Sequence, residues 1–209
     1  MPKYFKIVPV LFCILFFSLQ TIAQDSSRLR VSLLTCTPGE ELYSIFGHSA
    51  IRIIDSNSVN DYVFNYGTFD FNDPNFYIKF IKGKLLYFIS VQRTEDFLYF
   101  YTIENRGVYE QVLNLSADEK RNIQKALIEN LKEENKFYKY DFFLDNCTTR
   151  LRDIIEKYKN PTPVFPAVMP ADTKFRQAIH QYLEKGGQYW SEDRKSTRLN
   201  SSHTVISYA

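Results

Sequence analysis

The stretch YDFFLDNCTTRLRDIIEKY, Tyr140 to Tyr158, decides how the rest of the chain is arranged. Leu151, Ile154, Ile155 and Tyr158 recur at the spacing of one apolar helical face, and Asp145 or Asn146 supplies an N-cap ahead of them. Cys147 therefore falls in the first helical turn. Unpaired backbone amides and the positive end of the helix dipole converge there, and both favour a thiolate over a thiol. The preceding run, Phe142 to Leu144, presses that turn against a core.

A thiol nucleophile needs a base within hydrogen-bond reach, and the base needs a third polar group to hold its tautomer. His48 follows Gly47 directly and opens the alternating run Ser49 to Ile54, so it sits at a strand mouth. His180 lies on the polar side of its helix, four residues after Arg176, and reads as a surface residue. Tyr62 to Tyr66 is the natural antiparallel partner of the His48 strand, and it carries Asn65 as the candidate orienting group. An asparagine at an edge or turn is an equally good reading of Asn65. For Cys147 the competing fates are an ordinary buried cysteine or a disulfide with Cys36. Arg150 and Arg152 fit a phosphate contact and a solvated helix face equally well.

Further out, Arg30 to Cys36 reads as a first strand, Leu85 to Arg93 as a third after the helical Asn75 to Lys82, and Val108 to Leu113 as another. Thr94 starts a helix with Phe97, Leu98 and Tyr101, capped by its own hydroxyl. Ser116 and Glu119 form a capping box for a long helix with Ile123, Ala126, Leu127 and Leu131 on one face, which ends in solvent at Glu133 to Lys136. Pro161 to Pro170 is an extended connection, and Asp172 to Leu183 the last helix, with Phe175, Ile179, Tyr182 and Leu183 inward. Strands early and helices late predict an α+β domain whose antiparallel sheet packs on the helix that carries the cysteine.

Both ends stand apart from this domain. Met1 to Ala23 has Lys3 and Lys6, an apolar run and a small-residue site before Gln24, the pattern of a cleaved signal peptide. Residues 193–209, DRKSTRLNSSHTVISYA, lack apolar periodicity and resemble translated sequencing adaptor. The expected domain is therefore 24–192. Without Lys3, Lys6, Arg194, Lys195, Arg198 and Asp193 the formal charge changes from +2 to about −2, so no nucleic-acid footprint is present. No His or Cys spacing suits a zinc site, and no metal or other cofactor is expected. The 18 Phe and 15 Tyr form a heavy aromatic load, suited to a core or an amphipathic surface.

LLTCTPGEELYSIFGHSAIRI (33–53), VFNYGTFDF (63–71) and FFLDNCTTRLRD (142–153) together resemble the Lnb N-terminal periplasmic domain family, in type and order, from about Arg30 to Trp190. The resemblance implies a circularly permuted papain-like fold related to NlpC/P60 enzymes, with the histidine before the cysteine. It also implies a lipoprotein N-acyltransferase of the inner membrane, exported to the periplasm, with Cys147 as nucleophile and His48 as base. Asn65 as third member rests on the strand pairing above. The implied partners are a phospholipid acyl donor, a lipoprotein acceptor and the membrane surface, through a C-terminal region missing here. Aromatics between Phe69 and Phe88 are expected to line an acyl groove. A thiol hydrolase acting on cell-wall peptides uses the same dyad, and a non-catalytic module with a Cys36–Cys147 disulfide is the third reading.

Overall fold

A computed structural model describes residues 27–41, 43–70, 72–166, 170 and 172–185. The expected leader and the adaptor-like tail lie outside them. Strands β1 (Leu29–Cys36), β2 (His48–Asp55), β3 (Asn60–Thr68) and β4 (Leu86–Arg93) form an antiparallel meander. β5 (Val108–Val112) adds beside β1 and β6 (Phe137–Lys139) beside β4, giving a six-stranded sheet of order β5-β1-β2-β3-β4-β6. Six helices accompany it among the described residues: α1 (Phe76–Ile81), α2 (Thr94–Ile103), α3 (Ala117–Asn130), α4 (Glu133–Lys136), α5 (Cys147–Tyr158) and α6 (Phe175–Lys185). The architecture is α+β, with the sheet packed against the cysteine helix.

Period-2 alternation splits the strand side chains between two cores. Val31, Ile51, Ile53, Phe64, Tyr66 and Ile89 meet Ile123 and Leu127 of α3 and Leu151 of α5 on one face. Leu34, Cys36, Ala50 and Val63 meet Phe97 and Tyr101 of α2 on the other. Each fully buried Leu or Ile contributes about 1.5–3 kcal/mol, so Leu151, 1% exposed, ties the cysteine helix firmly to the sheet. A third cluster of Ile45, Ile179 and Leu183, with Phe46, Phe142 and Phe143 against it, fastens α6 to the loops before β2 and α5.

Several local readings are corrected. Thr94 does not cap its helix: the N-cap is Arg93, without a side-chain bond, and the Thr94 hydroxyl donates to Asp61 Oδ1 at 2.5 Å instead. Leu98 points outward at 40% exposure, because Phe97 and Tyr101 take the inner face of α2. The long helix ends at Asn130, and Glu133 to Lys136, largely exposed as expected, form the short α4 ahead of the edge strand β6. Tyr182 is 42% exposed, with Ala178 filling the inward position, and His180 is half-buried rather than on the surface. The Ser116–Glu119 capping box is present.

Candidate active site

Cys147 is the first residue of α5, and Asn146 is its N-cap. Asn146 Oδ1 accepts from the Thr149 amide at 2.9 Å, while Thr149 Oγ1 accepts from the Asn146 amide at 2.8 Å, a reciprocal cap that fixes the helix start. Asp145 serves elsewhere: its carboxylate takes Arg150 Nε at 2.5 Å and a second guanidinium nitrogen at 2.7 Å. That guanidinium lies 3.7 Å from the centre of the Tyr138 ring. Arg152 binds Asp153, so carboxylates hold both arginines for which phosphate was a possible partner. The 141–145 turn closes on itself through paired backbone bonds between Asp141 and Asp145.

His48 is the first residue of β2 and follows a left-handed glycine, Gly47, at φ 74°. A Cβ on Gly47 would lie 2.7 Å from the Cys36 carbonyl oxygen, so only glycine fits this turn. On β3 the pairing with β4 shifts register between Asn65 and Thr68, a bulge that contains Gly67 at φ 85°. Asn65, 7% exposed, places its Oδ1 3.2 Å from His48 Nε2. Nε2 is the ring nitrogen that Asn65 engages, and His48 and Cys147 line one cleft, close enough for each to shift the other's pKa. Thiol, imidazole and amide thus gather at the junction of helix and sheet.

Burial pushes the Cys147 thiol up, but the His48 charge, the hydrogen bond from its ring, the Ser49 amide and the Thr148 hydroxyl outweigh it. The balance brings the thiol from the ordinary 9.0 down to about 7. For His48 burial disfavours the cation, and the neighbouring Cys147 thiolate with the bonds to Cys147 and Asn65 wins, raising it above 6.5. The pair therefore favours thiolate and imidazolium. Ser49 and Thr148 also bond to each other through their hydroxyls at 3.0 Å, locking strand to helix beside the sulfur.

Cys36 lies directly across from His48 in the β1–β2 register, yet no disulfide joins it to Cys147: both are free thiols. Burial pushes Cys36 up to about 11, against a hydrogen bond with Tyr101 and the charge of Arg106, so it is inert. Sulfur and imidazole open into a cleft lined by Tyr43, Phe46, Phe69, Tyr87, Tyr140 and Phe142. Phe69 and Tyr87 come from the predicted aromatic region; the others come from the loops before β2 and α5, where no periodicity marked them. Among the described residues no group of three His, Cys, Asp or Glu side chains could hold a metal ion, and no helix is long and apolar enough to cross a membrane.

Fold and site together define an α+β domain built around a cysteine–histidine–asparagine cluster at the base of an aromatic cleft. No curated protein and no solved structure matches the chain. The sequence profile of the Lnb N-terminal periplasmic domain matches residues 18–181, and the chain belongs to that family, whose location is periplasmic.

Proposed function

We propose that the domain is a cysteine-dependent acyltransferase. It moves a fatty acyl chain from a phospholipid to the α-amine of a lipoprotein's N-terminal diacylglyceryl-cysteine, through a thioester on Cys147. The observation that carries the proposal is the gathering of Cys147, His48 and Asn65 at one aromatic cleft, with the thiol lowered to about 7. Membership of the Lnb family and the order of histidine before cysteine, as in permuted papain-like proteins, support the same reading.

In the first half-reaction the Cys147 thiolate attacks the ester carbonyl and a C–S bond forms. The ester C–O bond then breaks, and the lysophospholipid alkoxide takes the proton of the His48 imidazolium. In the second half, neutral His48 accepts a proton from the lipoprotein amine as its nitrogen attacks the thioester. The thiolate leaves and the ion pair is restored. Asn65 holds the ring through Nε2 throughout.

The test is mass spectrometry of lipoproteins from cells carrying the intact chain or Cys147→Ala. Loss of the N-linked acyl chain in the variant is expected. Unchanged lipoproteins with altered cell-wall fragments would replace transfer by hydrolysis, and no change in either would refute a catalytic Cys147.

A further inference from the structure

Acyl transfer through a thioester needs more than a nucleophile and a base. When sulfur adds to the carbonyl, the π electrons move onto oxygen, and that oxyanion must be met by donors already in place. The amide of Cys147 is one, since the first backbone N–H groups of a helix have no intrahelical acceptor. The second donor must lie in the cleft, close to Cys147, and carry a proton it does not lose.

Tyr43, Tyr87 and Tyr140 line the cleft and Tyr138 lies behind it, and of these Tyr138 and Tyr140 flank Gly67 together with Cys147. A Cβ built on Gly67 would lie 3.6 Å from Cys147 Cβ, 4.0 Å from Tyr140 Cε2 and 4.0 Å from Tyr138 Oη. The ring edge of Tyr140 and the Cβ of Cys147 thus flank Gly67 together, and both residues line the same cleft. Tyr140 lines the cleft, whereas Tyr138 is absent from its lining and its hydroxyl is sealed from solvent. Stacking on Tyr87, with centroids 4.3 Å apart, fixes the Tyr140 ring, and its hydroxyl makes no hydrogen bond to another described residue. Burial, and then the neighbouring Cys147 charge, hold the phenol well above its ordinary range, so it stays protonated.

We infer that the Tyr140 hydroxyl is the second oxyanion donor and, with the Cys147 amide, stabilises the tetrahedral adducts of both half-reactions. This rests on the acyl-transfer reading above. Tyr140 is then a catalytic residue that acts only on carbonyl chemistry. Simple displacement at sulfur, which forms no oxyanion, is indifferent to it.

That difference supplies the experiment. The full chain and Tyr140→Phe are mixed with p-nitrophenyl butyrate, and the burst of p-nitrophenolate reports formation of the Cys147 thioester as the aryl C–O bond breaks. In parallel, iodoacetamide alkylation of Cys147 reports the thiolate alone. Tyr140→Phe should slow the burst by about 10²–10³-fold while leaving the alkylation rate and its pH midpoint unchanged. The phenylalanine keeps the stack on Tyr87, and the unchanged alkylation certifies an intact site. A burst at the unsubstituted rate overturns the inference, as does equal slowing of both reactions or a loss produced by Tyr138→Phe instead. A wild-type chain that forms no thioester overturns the acyl-transfer reading itself, and the role of Tyr140 with it.

Discussion

At the residue scale the site is a thiol and an imidazole, each biased toward its charged form by short-range contacts. Cys147 gains its lowered pKa against burial, through His48 first and then through the Ser49 amide and the Thr148 hydroxyl. Because the reactive form is the deprotonated one, alkylation of Cys147 should accelerate as pH rises through about 7 and level off above it. His48→Ala removes the largest lowering influence and leaves burial in place, so the midpoint should move above the ordinary 9.0. Rates measured against pH for both proteins check the sign; an unmoved midpoint in the variant would detach His48 from the thiol. Cys147 and His48 can be singled out in the sequence because each sits where an element begins, beside a cap or a glycine. Asn65 was legible only as the partner of a predicted strand pairing. Tyr140 gave no signal of its own, since a tyrosine ahead of a helix is usually core and only the tertiary fold sets its ring in the cleft with Cys147.

At the element scale the two starting points are of different strength. The Asn146 side chain accepts from the Thr149 amide and donates to the Phe142 carbonyl, so Asn146→Ala should destabilise the fold by about 0.5–2 kcal/mol. At Gly47 an added methyl group meets the Cys36 carbonyl, and a left-handed residue with a Cβ costs about 1–2 kcal/mol before that clash is relieved. Gly47→Ala should therefore lose more in urea denaturation than Asn146→Ala, and by shifting His48 it should raise the Cys147 alkylation midpoint as well. A Gly47→Ala chain with native stability and midpoint would remove the turn from the account of the site. The elements that escaped sequence reading share a cause. β6 has only Phe137 to Lys139, too few residues for alternation to show, and its pairing with β4 is long-range. Thr94 has the right chemistry for a cap, but its hydroxyl is taken by Asp61, 33 residues away in sequence. Local pattern cannot register a distant competitor for a hydrogen bond.

At the scale of the whole molecule the sheet separates the two cysteines by role. Cys36 is 2% exposed in the core under α2, while Cys147 opens into the cleft. Thiol labelling of the folded, unreduced protein should modify Cys147 at once and Cys36 only after denaturant is added, with peptide mapping to assign each. If neither reacts before reductant, a disulfide exists and the cleft has lost its nucleophile. The α+β class and the packing of sheet on cysteine helix follow from strands, caps and apolar faces that the sequence displays. The distribution of aromatics between core and cleft does not, because Phe69 and Phe142 at the cleft and Phe76 and Phe97 in the core have the same side-chain chemistry and differ only in what the tertiary fold sets beside them.

His48 and Cys147 are each the opening residue of a regular element, and the segments just upstream of them supply Tyr43, Phe46, Tyr140 and Phe142 to the cleft wall. The cleft wall and the sulfur–imidazole pair are therefore carried by adjoining but separate pieces of chain. Either upstream loop can be lengthened or recomposed to reshape the entrance while the strand and helix keep sulfur and imidazole in register.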